Sequence, residues 1–362
     1  MNKFKKIGLT ALATSLVASS AYAAEVSVSG SAGMVFKSQS GNSGSANDHG
    51  KGLGTDNALS FSASGEMDNG WTVSASTAFT DAAAISSNAL TITMGSMGSI
   101  LTGYSSGGNA GNYDGLGGAY EEVDDGGTTS LSTNLIGSTS DNAGLYYTSP
   151  AIDAAGASVT LHLGYTPRAL GANLSGGSAS GSGDYGSSQN AGVTITSDAG
   201  LSLGVFANVI ETNATSTQAE DGFEGTWYAT YAMGPISVGY QQSYVNRGLS
   251  TAATTAGAKK TVAAAGGQFE ADQYSITMNV NDQLSISYAK ADDTYDAMAG
   301  SADDTTTGTA VADVTMSMTS IQAAYSMGSM SIKAYRTKTT NPEYKNAGGS
   351  VQINEIALGL SF

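Results

Sequence analysis

The sequence predicts an all-β protein, a closed barrel of sixteen antiparallel strands that spans a membrane. Three observations lead to this fold class. Apolar and polar residues alternate in about sixteen short segments, as in strands with one apolar face. Tight turns and long polar loops alternate between these segments, which is typical of outer-membrane barrels. After the first residues, no run of about 18 apolar residues could form a transmembrane helix.

Residues 1–23 have the pattern of a cleaved secretory leader. A lysine-rich start and an apolar run precede Ala21 and Ala23, the small residues that a signal peptidase recognises. Cleavage after Ala23 and cleavage after Ala24 both fit the sequence. We therefore expect one domain, a barrel over residues 24–362, exported to the cell outer membrane through the signal peptide.

The charge balance excludes several functions. Three of the 14 basic residues lie in the leader, so the mature chain keeps 11 against 30 acidic residues. This excess of negative charge disfavours nucleic acid, whose phosphates require basic patches. There is no cysteine and there are only two separated histidines, so the usual nucleophile–base pairs and zinc sites are absent. We expect no enzyme, no catalytic residue and no cofactor, with a calcium ion bound by an acidic loop left open.

The strands can be placed in order by their alternation. Val26 and Val28 alternate with Ser27 and Ser29 in the first strand, and the same pattern recurs to the end of the chain. The segment 314–326 fits least well, because Met316 and Met318 fall opposite Ile321, and a β-bulge would reconcile them. The predicted strands are 25–37, 57–66, 71–80, 89–95, 99–104, 143–149, 157–166, 191–197, 201–210, 223–233, 236–244, 268–280, 283–290, 314–326, 330–338 and 350–362.

The connections alternate in length. One end of the barrel has tight turns such as Asn69-Gly70 and Gly234-Pro235, whereas the other has long polar loops, the longest at 105–142. The apolar strand faces have no helices to cover them, so they belong against lipid. The opposite faces are rich in Ser, Thr, Gly and Asn, and would line a wet lumen wide enough for a channel.

Aromatic residues near the strand ends predict the girdles that barrels place at both membrane interfaces. Cross-strand packing in a soluble sheet is the alternative. The predicted girdle residues are Trp71, Tyr104, Tyr146, Tyr147, Tyr165, Trp227, Tyr231, Tyr240, Tyr274, Tyr288, Tyr325 and Phe362.

Five stretches together carry a family resemblance: EVSVSGSAGMVF, LSFSASGEMDNGWTVSASTAF, TMGSMGSILTGY before a long loop, LYYTSPAIDAAGASVTLHLGY and the terminal EIALGLSF. In these the chain resembles the general diffusion porins of Gram-negative bacteria, the alphaproteobacterial type in particular, over essentially all of 24–362. The resemblance implies a homotrimer in contact with membrane lipid and lipopolysaccharide. It also implies a water-filled channel for passive diffusion of ions and small hydrophilic solutes.

The resemblance further implies that the third external loop, 105–142, folds into the lumen and constricts it with acidic side chains. A solvated acidic loop is the alternative. The candidate constriction residues are Asp114, Glu121, Glu122, Asp124 and Asp125.

The basic half of such a constriction departs from the family pattern. The second to fifth predicted strands contain no Lys or Arg. Lys333 is the best candidate for the lumen wall, and Arg336 and Lys37 are candidates for the mouth. For Arg336, contact with lipid headgroups fits equally well. Because acids far outnumber bases, we expect a preference for cations and neutral solutes.

The chain ends on an alternating strand. Ile356, Leu358 and Leu360 share the lipid side with Phe362, and Glu355 faces the lumen. This strand must pair with the first strand to remove both open edges. The resemblance implies that Phe362 is also part of the signal read by the outer-membrane assembly machinery.

Two other functions remain open from the sequence. A substrate-selective channel for sugars or amino acids would place aromatic residues in the lumen, and Phe206, Tyr228 and Tyr335 fall on the polar face. A non-channel surface adhesin would show a fixed repeat, whereas the hairpins here differ in length.

Overall fold

The structure is a computed structural model, and it describes eleven stretches of the chain. The predicted leader lies outside these stretches, as do Asp114, Asp124 and Asp125, so their predicted roles stay predictions. The described residues are 25–42, 49–79, 85–104, 109–113, 116–123, 144–167, 185–212, 221–246, 268–296, 313–344 and 349–362.

The described residues form strands and three short 3₁₀ helices. The 3₁₀ helices are Gly95–Met97, Ala110–Asn112 and Pro342–Tyr344. The strands are β1 (Glu25–Asn42), β2 (Gly50–Glu66), β3 (Thr72–Phe79), β4 (Ile85–Thr93), β5 (Ser99–Tyr104), β6 (Leu145–Thr148), β7 (Ile152–Asp153), β8 (Ala157–Thr166), β9 (Tyr185–Ser197), β10 (Leu201–Thr212), β11 (Gly222–Met233), β12 (Ile236–Asn246), β13 (Gln268–Asn279), β14 (Leu284–Asp296), β15 (Val314–Met327), β16 (Met330–Thr340) and β17 (Ser350–Ser361).

The sheet is antiparallel and closed. β1 pairs with β2 on one side and with β17 on the other, with Ser31 opposite Ser361. β6 and β7 both pair with β8, so together they fill one position in the wall. Pro150 lies between them, and its missing N–H cannot join the ladder. The barrel therefore has sixteen wall positions, which confirms the predicted fold class and the predicted closure by the last strand.

Several strands extend well beyond their predicted ends on the side of the long loops. β2 begins at Gly50, seven residues before its predicted start, and β14 ends at Asp296, six residues beyond its predicted end. In these extensions neither face is consistently apolar: Leu53 is the one large apolar residue of the β2 extension and Tyr295 that of the β14 extension. The alternation that marks a half-apolar strand therefore disappears although the pairing continues. β2 therefore also includes Lys51, which lies on the outer face with Leu53.

The prediction that a β-bulge interrupts 314–326 is wrong. β15 pairs without interruption with both of its neighbours. Met316 and Met318 point into the barrel and are 0% and 1% exposed. They pack in an apolar cluster at the loop end of the lumen, together with Phe269, Tyr295 and Tyr344. At the loop end, the inner face is therefore partly a dry apolar core. The predicted lining of Ser, Thr, Gly and Asn did not indicate this.

The outer face carries a broad apolar band. Val205, Ile276 and Ile321 are 61%, 44% and 63% exposed in the isolated chain. Trp227, Tyr240 and Tyr274 form a row of ring contacts at one edge of the band, with centroids 5.1 and 5.0 Å apart. Such a row fits the predicted girdle. Within the described residues, no helix is long and apolar enough to cross a membrane.

Tyr146 departs from the predicted girdle. It points into the barrel, is 1% exposed, and shares a hydrogen bond of 3.1 Å between its hydroxyl and that of Thr166. Its neighbour Tyr147 takes the outer side, because successive side chains of a strand alternate between faces.

Candidate pore constriction

The segment between β5 and β6 contacts the inner face of the barrel through its described residues, 109–113 and 116–123. The amide of Asn109 donates to Oδ1 of Asn190 on β9 at 3.0 Å. The Tyr113 ring lies 5.6 Å from His162 and 5.0 Å from Phe206, centroid to centroid. Burial, together with Tyr228 nearby, raises the pKa of the Tyr113 hydroxyl far above its usual range, so it stays neutral.

A glycine on the wall makes room for this contact. A Cβ built on Gly192 of β9 would lie 2.3 Å from the Tyr113 hydroxyl oxygen, closer than real contacts allow. Any other residue at position 192 would therefore displace the tyrosine, so the wall strand is shaped to accept the segment.

The segment then reaches the far wall. The hydroxyl of Thr277 on β13 donates to the Gly117 carbonyl at 3.4 Å, and the Ala119 N–H donates to the Ser287 hydroxyl at 2.8 Å. On β15, Oε1 of Gln322 accepts from the backbone N–H groups of Tyr120 and Glu121 at 2.9 and 3.0 Å. Side chains of the wall thus satisfy backbone donors that no sheet neighbour could satisfy.

Glu355 of β17 is the second anchor on this side. The Tyr120 hydroxyl donates to its Oε1 at 2.6 Å and the Tyr335 hydroxyl to its Oε2 at 2.9 Å. The ammonium of Lys37 on β1 lies 2.8 Å from Oε2. Glu355 is only 5% exposed, and these three donors offset the cost of burying its carboxylate.

Tyr120, which donates to Glu355, also contacts a second cation with its ring. The ammonium of Lys333 lies 5.1 Å from the centre of the Tyr120 ring, within range of a cation–π contact. Burial, and then the hydrogen bond to Glu355, raise the pKa of the Tyr120 hydroxyl far above its usual range. The hydroxyl therefore remains a donor at any pH at which the barrel works.

The structure thus brings together several of the residues predicted from sequence. Lys37 and Lys333 lie on the inner face around Tyr120, and Glu121 and Glu122 are half-buried in the segment beside them. After burial and Glu355, the negative charge of Glu121 also raises the pKa of the Tyr120 hydroxyl.

Arg336 does not join this group, and its predicted place at the mouth of the lumen is corrected. It shares the outer face with Ile332 and Ala334, because alternation along β16 puts Lys333 and Tyr335 inside. Its Nε–H donates to Oδ1 of Asn354 at 2.8 Å, also on the outer face. This position matches the alternative interpretation, contact with lipid headgroups.

Phe362 lies at the seam between the last and the first strand. Its backbone N–H and carbonyl both bond to Gly30, each at 3.0 Å. A Cβ built on Gly30 would lie 2.7 Å from the Phe362 ring, so the ring lies over this glycine on the outer face. The ring is 78% exposed in the isolated chain.

Sequence reasoning missed the anchors themselves: Gln322, Tyr120, Asn190 and Ser287 were not among the predicted site residues. One signal could have found Gln322. Its large amide falls on a lumen-facing position of β15, and the other lumen-facing residues of that strand are apolar or carry hydroxyls. Which backbone groups it meets depends on a segment about 200 residues away in sequence, which periodicity does not report.

Comparison with known families gives a match over most of the chain. The family described as Gram-negative porin matches residues 8–303. No curated protein matches the chain.

Solved structures with a similar fold cover nearly the whole chain at low identity. An anion-selective porin from Comamonas acidovorans is 14% identical with a TM-score of 0.63, covering 94% of this chain and 100% of its own. OmpF of Salmonella typhi, in a complex with daunomycin, is 11% identical with a TM-score of 0.62, covering 94% and 98%. A further porin structure is 17% identical with a TM-score of 0.60, covering 93% and 100%.

Proposed function

We propose that this chain, which belongs to the Gram-negative porin family, lets ions and small hydrophilic solutes diffuse through a lumen narrowed by the segment at 109–123. The family places it among outer-membrane barrels, and family and fold together point to a channel rather than an enzyme. The observation that carries the proposal is the pair of anchors on facing walls. Asn190 holds one end of the segment, and Gln322 and Glu355 hold the other.

The charges around the segment support a preference for cations and neutral solutes. The acidic residues Glu121 and Glu122 lie in it, and the Lys37 ammonium is paired with Glu355. On the described inner face of β2–β5 there is no Lys or Arg, and hydroxyls take their place, such as that of Ser62, 2.6 Å from the Ser27 hydroxyl of β1. Net negative charge in a low-dielectric passage favours cations.

Conductance in a planar bilayer under a salt gradient tests this proposal. We expect stepwise conductance and a reversal potential whose sign indicates cation preference. Glu121→Gln with Glu122→Gln should move the reversal potential toward zero, whereas Asp68→Asn, at a tight turn, should leave it unchanged. Absence of steps would reject the channel, and an anionic reversal potential would reject the selectivity.

The aromatic residues that a substrate-selective channel would use are engaged elsewhere. Phe206 is 2% exposed beneath Tyr113, and Tyr335 is 4% exposed and bonded to Glu355. Tyr228 is partly buried against the inner apolar cluster. These positions favour a general channel over a substrate-selective one.

The remaining parts of the function follow from the family. We propose a homotrimer, in line with the trimer form known for OmpT of Vibrio cholerae, a similar fold. We also propose that no cofactor is needed. In the described stretches no group of three acidic or histidine side chains could hold a metal ion. We further propose that the outer-membrane assembly machinery recognises Phe362, and that the barrel contacts lipid and lipopolysaccharide.

A further inference from the structure

The outer face of β14–β17 changes from apolar to cationic at one level of the barrel. Tyr288, Ile321 and Ile356 are the last large apolar residues toward the loops, and they are 47%, 63% and 56% exposed. Arg336 lies at the level of Tyr288 and Ile321, and Lys290 and Lys338 lie one step further toward the loops. In a chain with so few basic residues, three on neighbouring strands of one face form a concentrated patch.

The register fixes how close these cations are. Thr319 of β15 lies directly opposite both Lys290 of β14 and Lys338 of β16. Since adjacent strands are about 4.8 Å apart, the two lysines are attached about 10 Å from each other. Arg336 lies one step nearer the apolar band, opposite Ile321. Three flexible cationic side chains can therefore converge on one anionic group.

The acidic residues of the same face lie to one side of the patch. Asp292 pairs with Lys290, and the neighbouring Asp272 accepts a hydrogen bond from Tyr240 at 2.5 Å. On the other side, Arg336 uses its Nε–H on Asn354, so its terminal N–H groups remain for a further acceptor. Among the described residues, Lys338 has no ion-pair partner. The uncompensated positive charge therefore centres on Arg336 and Lys338.

An apolar groove begins beneath these cations. It has a volume of about 830 Å³ on the outer side of β13–β17, and Arg336 and Asn354 form its rim. Ile276, Ile286, Ile321 and Ile356 line its apolar floor. A cationic rim above an apolar groove is complementary to a molecule with an anionic head and hydrocarbon tails.

We propose that this surface, the β14–β17 patch, binds one phosphorylated lipid of the outer leaflet. Arg336 and Lys338 hold a headgroup phosphate, Lys290 contributes when it exchanges Asp292 for the phosphate, and an acyl chain lies in the groove. The inference rests on the proposed function in one respect: the long loops must lie on the external side, so that the patch meets the outer leaflet.

Lipid binding to the full barrel in detergent, read by native mass spectrometry, tests the proposal. The probes are a diphosphorylated glycolipid of the lipid A type and its dephosphorylated form with the same acyl chains. We expect the phosphorylated lipid to bind at least about tenfold more tightly, as two charge-assisted hydrogen bonds would give. R336S combined with K338T should abolish this preference.

Lys51→Thr is the matched control. Lys51 is also an exposed outer cation, but three strands from Arg336, because it pairs with Ser38 and Ser38 pairs with Asn354. Its loss should change the affinity by less than about twofold. Unboiled gel migration should verify that every variant is a folded barrel.

Several results would overturn the proposal. These are equal binding of the two lipids, an equal loss in K51T, and full displacement of the lipid by excess inorganic phosphate. Dissociation of the oligomer by R336S/K338T, with the lipid preference unchanged, would assign the surface to a second copy of the chain. A barrel that binds the phosphorylated lipid but gives no conductance would keep this site and reject the channel.

Discussion

The carboxylate of Glu355 illustrates how a single residue joins the wall to the segment that contacts its inner face. Three donors from three different parts of the chain converge on it: Tyr120, Tyr335 and Lys37. An unpaired buried carboxylate would be strongly unfavourable, so the donors and the acid stabilise one another. Removal of one donor therefore tests a single hydrogen bond to Glu355, whereas removal of the acid would leave all three donors without their acceptor.

Tyr120→Phe deletes one of these donors while keeping the ring against Lys333. We expect a loss of about 2 kcal/mol in the free energy of unfolding, typical of a hydrogen bond to a charged group. The segment should also move more, so single-channel current should be noisier and its mean conductance larger. Urea unfolding in detergent and bilayer recording measure the two effects.

Tyr240→Phe is the matched control, since that hydroxyl donates to Asp272 at 2.5 Å on the outer face. It should reduce stability to a similar extent and leave the current unchanged. Equal noise in both variants would show that Tyr120 does not position the segment.

At the scale of elements, the seam between β1 and β17 depends on very few contacts at its end. Phe362 bonds to Gly30 through its backbone, and its ring covers that glycine. This arrangement resembles the pairing of an aromatic ring with a strand glycine that stabilises designed sheets. The ring nevertheless remains 78% exposed, so its burial within the monomer contributes little.

Deletion of Phe362 should therefore cost less than about 2 kcal/mol of folded stability, the value for full burial of such a side chain. If the residue is also an assembly signal, the amount of barrel in the outer membrane should fall much further than this loss predicts. Quantitative immunoblots of outer-membrane fractions, compared with refolding yields in detergent, separate the two effects.

Leu360→Ala is the control, because it removes an outward apolar side chain from the same strand and keeps the terminal residue. This substitution should lower the stability of the refolded barrel at least as much as deletion of Phe362 does. It should lower the amount of barrel in the outer membrane less than that deletion. Normal membrane levels of a chain ending at Ser361 would contradict the assembly role.

Closure is the property of the whole molecule on which the others depend. Every one of the sixteen wall positions, including those of β1 and β17, has two hydrogen-bonded neighbours in the described sheet. No open edge remains to fray in lipid or to pair with another chain. Such a barrel should resist detergent until it is heated.

We therefore expect heat-modifiable migration on a denaturing gel: faster without boiling and slower, at the position of the full chain, after boiling. Ile356→Pro should abolish the fast band, because it removes a ladder hydrogen bond and kinks β17 beside the seam. The same change at Ser329, in a tight turn, should retain it. Identical migration before and after boiling would exclude a closed barrel.

Much of this architecture could be predicted from sequence for a physical reason. Side chains alternate across a strand, so a face against lipid and a face against water leave a period of two, as in β1 and β17. The prediction weakened where both faces are polar, as in the first part of β2. It failed for Met316 and Met318, where the inner face is apolar.

The sequence by itself determined the strands, their order, the tight and long ends and the closing pair, because local periodicity and turn chemistry specify them. The tertiary structure alone decided which donors meet Gln322 and Glu355, that Gly192 makes room for Tyr113, and that the cations of β14 and β16 flank Thr319. These contacts join residues far apart in the chain. Their partners are set by barrel register and by the path of the segment along the inner wall, and neither leaves a local pattern.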